Sequence, residues 1–488
     1  MLRQNRSATF PSGRQDVYIS GPRDAAAGGG ETVRGVLGAK PRPTADGESG
    51  MESLRMMRAH RLVTCLATAA LTLAAGGPTE PTPTFQPLAP LNGLHLGVWT
   101  GQLQSLTHAR DFNAVGGEEP SGSTSTLALT LNYVSPEVSG LSLGGQYVHS
   151  QSLFSHNPDI PINNTFHLLN QAYLNYRLVD LDLPRSYVRA GRIKPDFLMM
   201  NGLAPRQKEQ AFEGALLRTE DLPDLRLSAG WFRKFSSWST RHKNRDEDFW
   251  FNYEFTDVAD VARRPYETAG TVFTDVVYSG IPRLRLNLGD WYSADIMNLA
   301  YVSPTVDLLR CLSWTAVWAH ERSTGDWHDD AANRGTAPAD LKANYLQTYL
   351  TYKPVKDLKF MPGYAAVPGH NDGDENHSFQ DLFQADLLPL VGLVGRPLGY
   401  AAGSQMGYLS TLYKPWERTS VWVHYVYTDM DNTHATTYDG QEVNLIVGQR
   451  LTKALSVTAK LAYAWFSGRN GTDDSYGTDA RLFVTYTF

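Results

Sequence analysis

Apolar and polar residues alternate with a period of two along most of the chain. In residues 126–134, Leu127, Leu129, Leu131 and Tyr133 share one face, and Thr126, Ala128, Thr130 and Asn132 share the other. Residues 166–178 set Phe166, Leu168, Ala172, Leu174 and Tyr176 against His167, Gln171, Asn175 and Arg177. The same alternation sets Leu225, Leu227, Ala229 and Trp231 against Arg226 and Ser228, and Leu284, Leu286 and Leu288 against Arg285 and Asn287. It recurs at Val421, Val423, Tyr425 and Tyr427, and at Val457, Ala459, Leu461, Tyr463 and Trp465. Successive side chains of a strand point to opposite faces, so the pattern predicts strands and not helices.

A soluble sandwich also buries one face of each strand. Three features point instead to a membrane-spanning barrel. The segments run to about ten residues, enough for a tilted strand to cross a bilayer, whereas sandwich strands are nearer five or six. The connections alternate in length. Short turns at 135–140, 179–184, 221–223, 280–282, 353–357, 414–418 and 452–454 separate long polar stretches at 105–125, 150–165, 194–209, 235–268, 323–342, 368–400, 429–440 and 467–477. Short periplasmic turns opposite long extracellular loops are the barrel pattern. The chain ends on Ala480, Leu482, Val484, Tyr486 and Phe488, alternating with Arg481, Thr485 and Thr487, which resembles the insertion signal of outer-membrane proteins. Pairing loops with turns gives about eighteen strands, an even number, with both chain ends on the periplasmic side. The expected fold is all-β: a transmembrane antiparallel up-and-down barrel over residues 93–488, wide enough for an aqueous lumen and without an open edge.

Composition fits this picture. The 488 residues would normally make about three soluble domains, yet no linker divides the sequence after residue 92. Mean hydropathy is −0.33, and no run after residue 77 is long and apolar enough for a spanning helix. Alternating strands escape hydropathy detection because their two faces average out. Twenty-four Tyr and eleven Trp suit aromatic girdles.

Ahead of the barrel, residues 1–50 read as a disordered extension or, preferably, as the product of a misassigned start, with Met51, Met56 and Met57 as alternative starts. In residues 51–77, Arg58, His60 and Arg61 precede an apolar core at 62–73 and small residues at 74–77, the order of a secretory signal peptide. Residues 78–92 are a Pro-rich spacer. Cys65 falls in the export segment, which leaves Cys311 alone and excludes an intrachain disulfide. Ten of the 44 Lys/Arg and six of the 50 Asp/Glu lie at or before residue 77, so the exported part carries a net charge of −10. Nucleic acid is not an expected partner of such a surface.

Residues 170–231 resemble the OprD-type outer-membrane porins. The matching residues are Ala190-Gly191-Arg192, Pro195, Asn201, Arg206 and Ala211-Phe212-Glu213-Gly214, leading into residues 225–231. Trp291-Tyr292-Ser293-Ala294-Asp295-Ile296 is similar to a second segment of that family. One departure is that the family's loop Arg is followed by Pro-Gln, whereas here Pro205 precedes Arg206 and Gln207 follows it. The resemblance implies a monomeric or loosely trimeric porin in the Gram-negative outer membrane, built into the lipid by the barrel-insertion machinery. It would pass small water-soluble solutes, typically carboxylate-bearing nutrients. Inward-folded loops, including the one at 194–209, would narrow its pore.

A pore selects by its width and by the charges at its narrowest part. Alternation places Arg177, Arg226, Arg285, Lys460 and Arg481 on lumen faces, and Arg206 and Lys208 lie in the expected constriction loop. A guanidinium matches a carboxylate in two-pronged fashion. The bland reading is that any lumen is polar and that wall charges pair across strands. The loop from His370 through Asp372, Asp374 and Glu375 to His377 has calcium-like oxygens without the distal Glu spacing of a calcium loop. It reads as a solvated tip, as does 241–248. The apolar run 387–394 is a candidate to tuck into the barrel mouth. No cofactor or resident metal is expected. Two other classes remain: a barrel lipase or protease, for which His149 and His424 are available but no nucleophile motif is present, and a soluble secreted β-protein.

Overall fold

The computed structural model describes residues 96–112, 119–156, 165–202, 206–236, 255–262, 264, 267–332, 339–371, 374–383, 387, 399–430, 438–468 and 474–488. The expected extension, signal peptide and spacer lie outside the described residues, as does 241–248. The strands are β1 (Val98–Phe112), β2 (Glu119–Val134), β3 (Leu141–His156), β4 (Phe166–Leu178), β5 (Leu183–Ile193), β6 (Ala211–Thr219), β7 (Leu225–Ser236), β8 (Thr256–Asp257), β9 (Thr271–Tyr278), β10 (Leu284–Ser293), β11 (Met297–Leu309), β12 (Leu312–Ser323), β13 (Asp340–Val355), β14 (Leu358–Val367), β15 (Glu375–Asn376), β16 (Ser404–Trp416), β17 (Thr419–Met430), β18 (Tyr438–Arg450), β19 (Leu455–Gly468) and β20 (Ser475–Thr487).

Eighteen long strands form one closed antiparallel ring, as the alternation predicts. Each pairs with the next, β7 passing to β9 and β14 to β16, and β20 pairs back onto β1. The two-residue strands β8 and β15 only cap loops, on β7 and β13. Closure satisfies every strand edge. At the seam Gly101 and Phe488 exchange backbone hydrogen bonds of 2.8 and 2.9 Å. A Cβ on Gly101 would sit 2.6 Å from the Phe488 ring, so only glycine lets the terminal aromatic lie against β1.

The structure redraws some boundaries. Much of the expected loop 105–125 is strand, because β1 and β2 stay in register from Val98↔Val134 to Arg110↔Gly122. Polar residues did not end these strands: β20 and β3 supply backbone partners on their other sides. The apolar stretch 284–301 is two strands, β10 and β11, joined by a tight turn at Asp295, whose φ of 62° is left-handed.

Outward rows are apolar: Leu143, Leu174, Leu217, Leu346 and Leu409 are exposed. Trp99, Tyr352, Tyr413 and Trp416 ring the short-turn end, and Trp231, Tyr292, Tyr364 and Tyr463 lie toward the long-loop end. Inside, β1–β4 are mostly polar, with Leu106, Ala128 and Val148 among the polar residues, and part of the interior elsewhere is apolar. From β6 to β10 the inner wall carries buried Phe212, Phe232, Phe273 and Trp291, and Phe197 and Phe383 from loops join them. Phe273 stacks on Trp291 at 4.8 Å, Phe197 meets Phe273 edge-on at 5.0 Å, and Phe383 lies 5.2 Å from Trp291. Loops folded inward need apolar partners to stay there, and these rings provide them.

Candidate functional site

The connection between β5 and β6 folds into the ring and touches both kinds of wall. Its first part closes on itself through the Phe197 N–H to Met200 carbonyl bond, 2.9 Å. This tight turn drives Phe197, Met199 and Met200 into the aromatic cluster. Its second part is fastened to β1–β4. The Gln207 side-chain oxygen accepts from Thr126 at 2.7 Å and Ser150 at 3.2 Å, and its nitrogen donates to the Gln104 carbonyl at 3.0 Å. Glu209 accepts from Gln146 and Gln171 and is bound by Lys194. The segment therefore reaches from β1 to β10, nearly half of the ring.

Arg206 is half-buried on this loop and within electrostatic reach of His108 on β1. His108 Nε2 lies 2.9 Å from Asp479, and Arg481 donates to the same carboxylate at 2.7 and 2.8 Å. Lys460 stands opposite Arg481 in register, its amine 5.1 Å from the Phe483 ring. Lys208, its neighbour in the expected constriction, is fully buried. It donates to the Glu209 and Ser236 carbonyls at 2.9 and 3.2 Å. Burial pushes its amine down, to about 7. Its position is that of a fastener of the loop.

A row of arginines crosses the inner face of four consecutive strands, β4 to β7, and reappears on β10. Arg177 on β4 is at the short-turn end, paired with Glu137 at 3.2 Å. Arg189 on β5 donates to Asn175 at 3.1 Å, its guanidinium 4.5 Å from the Tyr173 ring and 4.9 Å from that of Tyr187. Arg218 on β6 grips Asp196 of the loop and donates to Ser228 at 3.0 Å. Arg226 on β7 is 4.0 Å from Asp275, which also accepts from Tyr301. Arg285 on β10 is exposed on the face shared by Trp291. Arg177, Arg226 and Arg285 are thus on one wall, and Arg206, Lys460 and Arg481 on another.

Arg189, Arg218 and the His108–Asp479 pair escaped sequence reading. Arg189 does alternate with Val188 and Ala190, a signal overshadowed by the Ala190-Gly191-Arg192 match. Arg192 itself turns outward to Glu213 at 3.0 Å. β6 is apolar on both faces, which hid Arg218, and His108 lay in a stretch read as loop. His149 faces outward and is exposed, whereas His424 is buried on the inner face, so the two share no site. Glu375 of the acidic loop contacts Lys342 at 3.1 Å and His377 at 3.2 Å. Leu387 packs against the inner cluster, and its carbonyl accepts from Gln347 at 3.1 Å.

No family model and no curated protein matches the sequence. Solved structures do match. OccK11 (OpdR) of Pseudomonas aeruginosa is similar at a TM-score of 0.59 with 15% identity, over 82% of this chain and 99% of that one. The outer membrane protein OpdK of the same organism gives 0.56 and 15%, over 80% and 98%. OccAB4 of Acinetobacter baumannii gives 0.56 and 18%, over 80% and 97%. At such identities the likeness is one of fold: this chain is a closed eighteen-stranded β-barrel with the fold of those structures.

Proposed function

We propose that the protein is an outer-membrane porin, through which small water-soluble solutes, above all carboxylate-bearing ones, diffuse past the inward loop and along the arginine row. The observation that carries this reading is the β5–β6 connection held inside a closed eighteen-strand ring by Gln207 on one side and by Arg218, through Asp196, on the other, with Arg189 and Arg226 on the strands flanking Arg218. A ring of this size leaves a water-filled interior unless loops narrow it. Its apolar exterior and aromatic ends suit a bilayer, and the OpdK likeness supports the outer membrane. Arg189 has no ion pair among the described residues, and Arg226 has one loose contact, so both retain donors for a passing carboxylate. Arg206, Arg481 and Lys460 are the proposed opposite side of the constriction. The terminal strand ending in Phe488 is the proposed handle for insertion machinery. Among the described residues, His149 and His424 share no site, so no arrangement there favours the barrel-enzyme alternative.

Single-channel recording of the refolded chain in planar bilayers tests this, with a KCl gradient and then added small carboxylates or basic amino acids. Discrete steps with anion preference, blocked by carboxylates and altered by Arg206→Ala, are expected. Silence from a barrel shown to be inserted would overturn the porin reading, and block by basic amino acids alone would overturn the carboxylate preference.

A further inference from the structure

On the short-turn side, the turns carry outward apolar tips. Val138, Leu181, Leu309 and Trp416 are 70%, 65%, 63% and 65% exposed. Around these tips the charge divides into two arcs. The turns after β2, β4 and β6 hold Glu137, Asp180, Asp182, Glu220, Asp221 and Asp224, and no Lys or Arg. The turns after β11, β13, β16 and β18 hold Arg310, Lys356, Arg418 and Lys453 against two acids, Asp357 and Glu417, with Lys353, Lys414 and Arg450 at the adjoining strand ends.

Three of the six acids are answered from within, and the central cations of the basic arc are not. Glu137 has Arg177, Asp221 has Arg185 and Ser186, and Asp180 accepts from Tyr176 at 3.0 Å. On the basic arc, Arg310, Lys356 and Arg418 have no ion pair among the described residues. The one side-chain contact of Arg418 is a 3.5 Å bond to the Leu451 carbonyl. Each of these cations follows an exposed apolar residue by one or two positions: Leu309, Val355 and Trp416. An apolar anchor in the hydrocarbon edge sets the adjacent long cation at the depth of lipid phosphates. A cation at that depth without a protein partner is attracted to anionic headgroups.

We propose that the basic arc, centred on Arg310, Lys356 and Arg418, is a docking site for anionic phospholipid headgroups of the periplasmic leaflet. The acidic arc is the side from which such lipids are excluded. This rests on the bilayer placement proposed above. The cations lie beside lipid-facing anchors, at the bilayer edge, so the geometry favours lipid over a polymer lying across the pore mouth.

The test is mass spectrometry of lipids retained by the full-length barrel after extraction from vesicles of mixed phosphatidylglycerol and phosphatidylethanolamine. The comparison is between the wild type, R310Q/K356Q/R418Q, and the control D182N/D224N. The wild type should retain phosphatidylglycerol preferentially, and each removed cation should lower that preference about fivefold. The control should keep it, with currents unchanged in all three. Equal retention by wild type and triple variant overturns the proposal, as does an equal loss in the control. A triple variant that keeps the lipid but loses cosedimentation with peptidoglycan also overturns it and reassigns the arc to that polymer. An inserted barrel that retains the lipid but passes no current would sink the porin reading alone.

Discussion

Replacing Gln207 with Ala should loosen the inward loop without disturbing the barrel. The side chain is almost fully buried and makes three hydrogen bonds to three strands, at 2.7, 3.2 and 3.0 Å. Each contributes about 1 kcal/mol net, and Ser150, which has no other hydrogen-bond partner among the described residues, would be left unsatisfied. The docked arrangement should therefore weaken by ~2–4 kcal/mol, which multiplies the undocked population by ~30 to ~1,000. No strand pairing depends on this residue, so the heat-modifiable gel shift of the folded barrel should be retained. Single-channel traces should show larger steps and more open-channel noise, with weaker discrimination between anions and cations. Glu209 still holds the loop through Lys194, Gln146 and Gln171, so Q207A/E209A should exceed either single change. If Gln207→Ala leaves step size, noise and selectivity unchanged in a folded barrel, the loop does not set the constriction and the reasoning fails.

The other expectations are briefer. R189A/R226A should move the reversal potential in a KCl gradient toward cation preference and weaken carboxylate block, since neither guanidinium is held by a close carboxylate; an unchanged potential would refute that role. Trp291→Ala should cost about 3–5 kcal/mol at the centre of the aromatic cluster, read as a lower unfolding midpoint on gels together with noisier channels. Gly101→Val should impair seam closure, because its side chain would meet the Phe488 ring and the Thr130 carbonyl; the yield of heat-modifiable barrel should fall. Lys208 carries a proton less readily in the docked loop than when released, so docking should strengthen as pH rises from about 7 towards 10.5 and stay constant below 7. Open-channel noise should fall over that range, and Lys208→Met should abolish the dependence.

The sequence by itself determined that the chain is built of about eighteen alternating strands and, for most of them, which face turns outward; β4 is an exception, because an extra residue at Asn170 shifts its register against β3 and turns His167 outward, not inward as its alternation with Phe166 and Leu168 suggests. Period-two alternation is a local property, and a strand has only two faces, so Leu225, Leu227 and Trp231 fix the side of Arg226 without knowledge of any neighbour. It also set both ends of the barrel on one side, because the strand count is even, whereas closure itself is seen in the pairing of β20 with β1. Boundaries were less legible. Residues 105–125 look polar enough for a loop, yet they are largely strand because β20 and β3 flank β1 and β2, and backbone pairing across strands leaves no local trace.

Only the tertiary structure decided what fills the interior. Gln207, Thr126 and Ser150 are 81 and 57 residues apart, and nothing in their own neighbourhoods marks them as partners. The inner aromatic wall and the arginines beside it depend on which strands curve around to face one loop. Lys208 and Arg206 are two residues apart, and the sequence treats them alike. The fold buries one as a fastener of the loop and turns the other toward His108, because the loop's path, set by Phe197 at one end and Gln207 at the other, leaves one side against the wall.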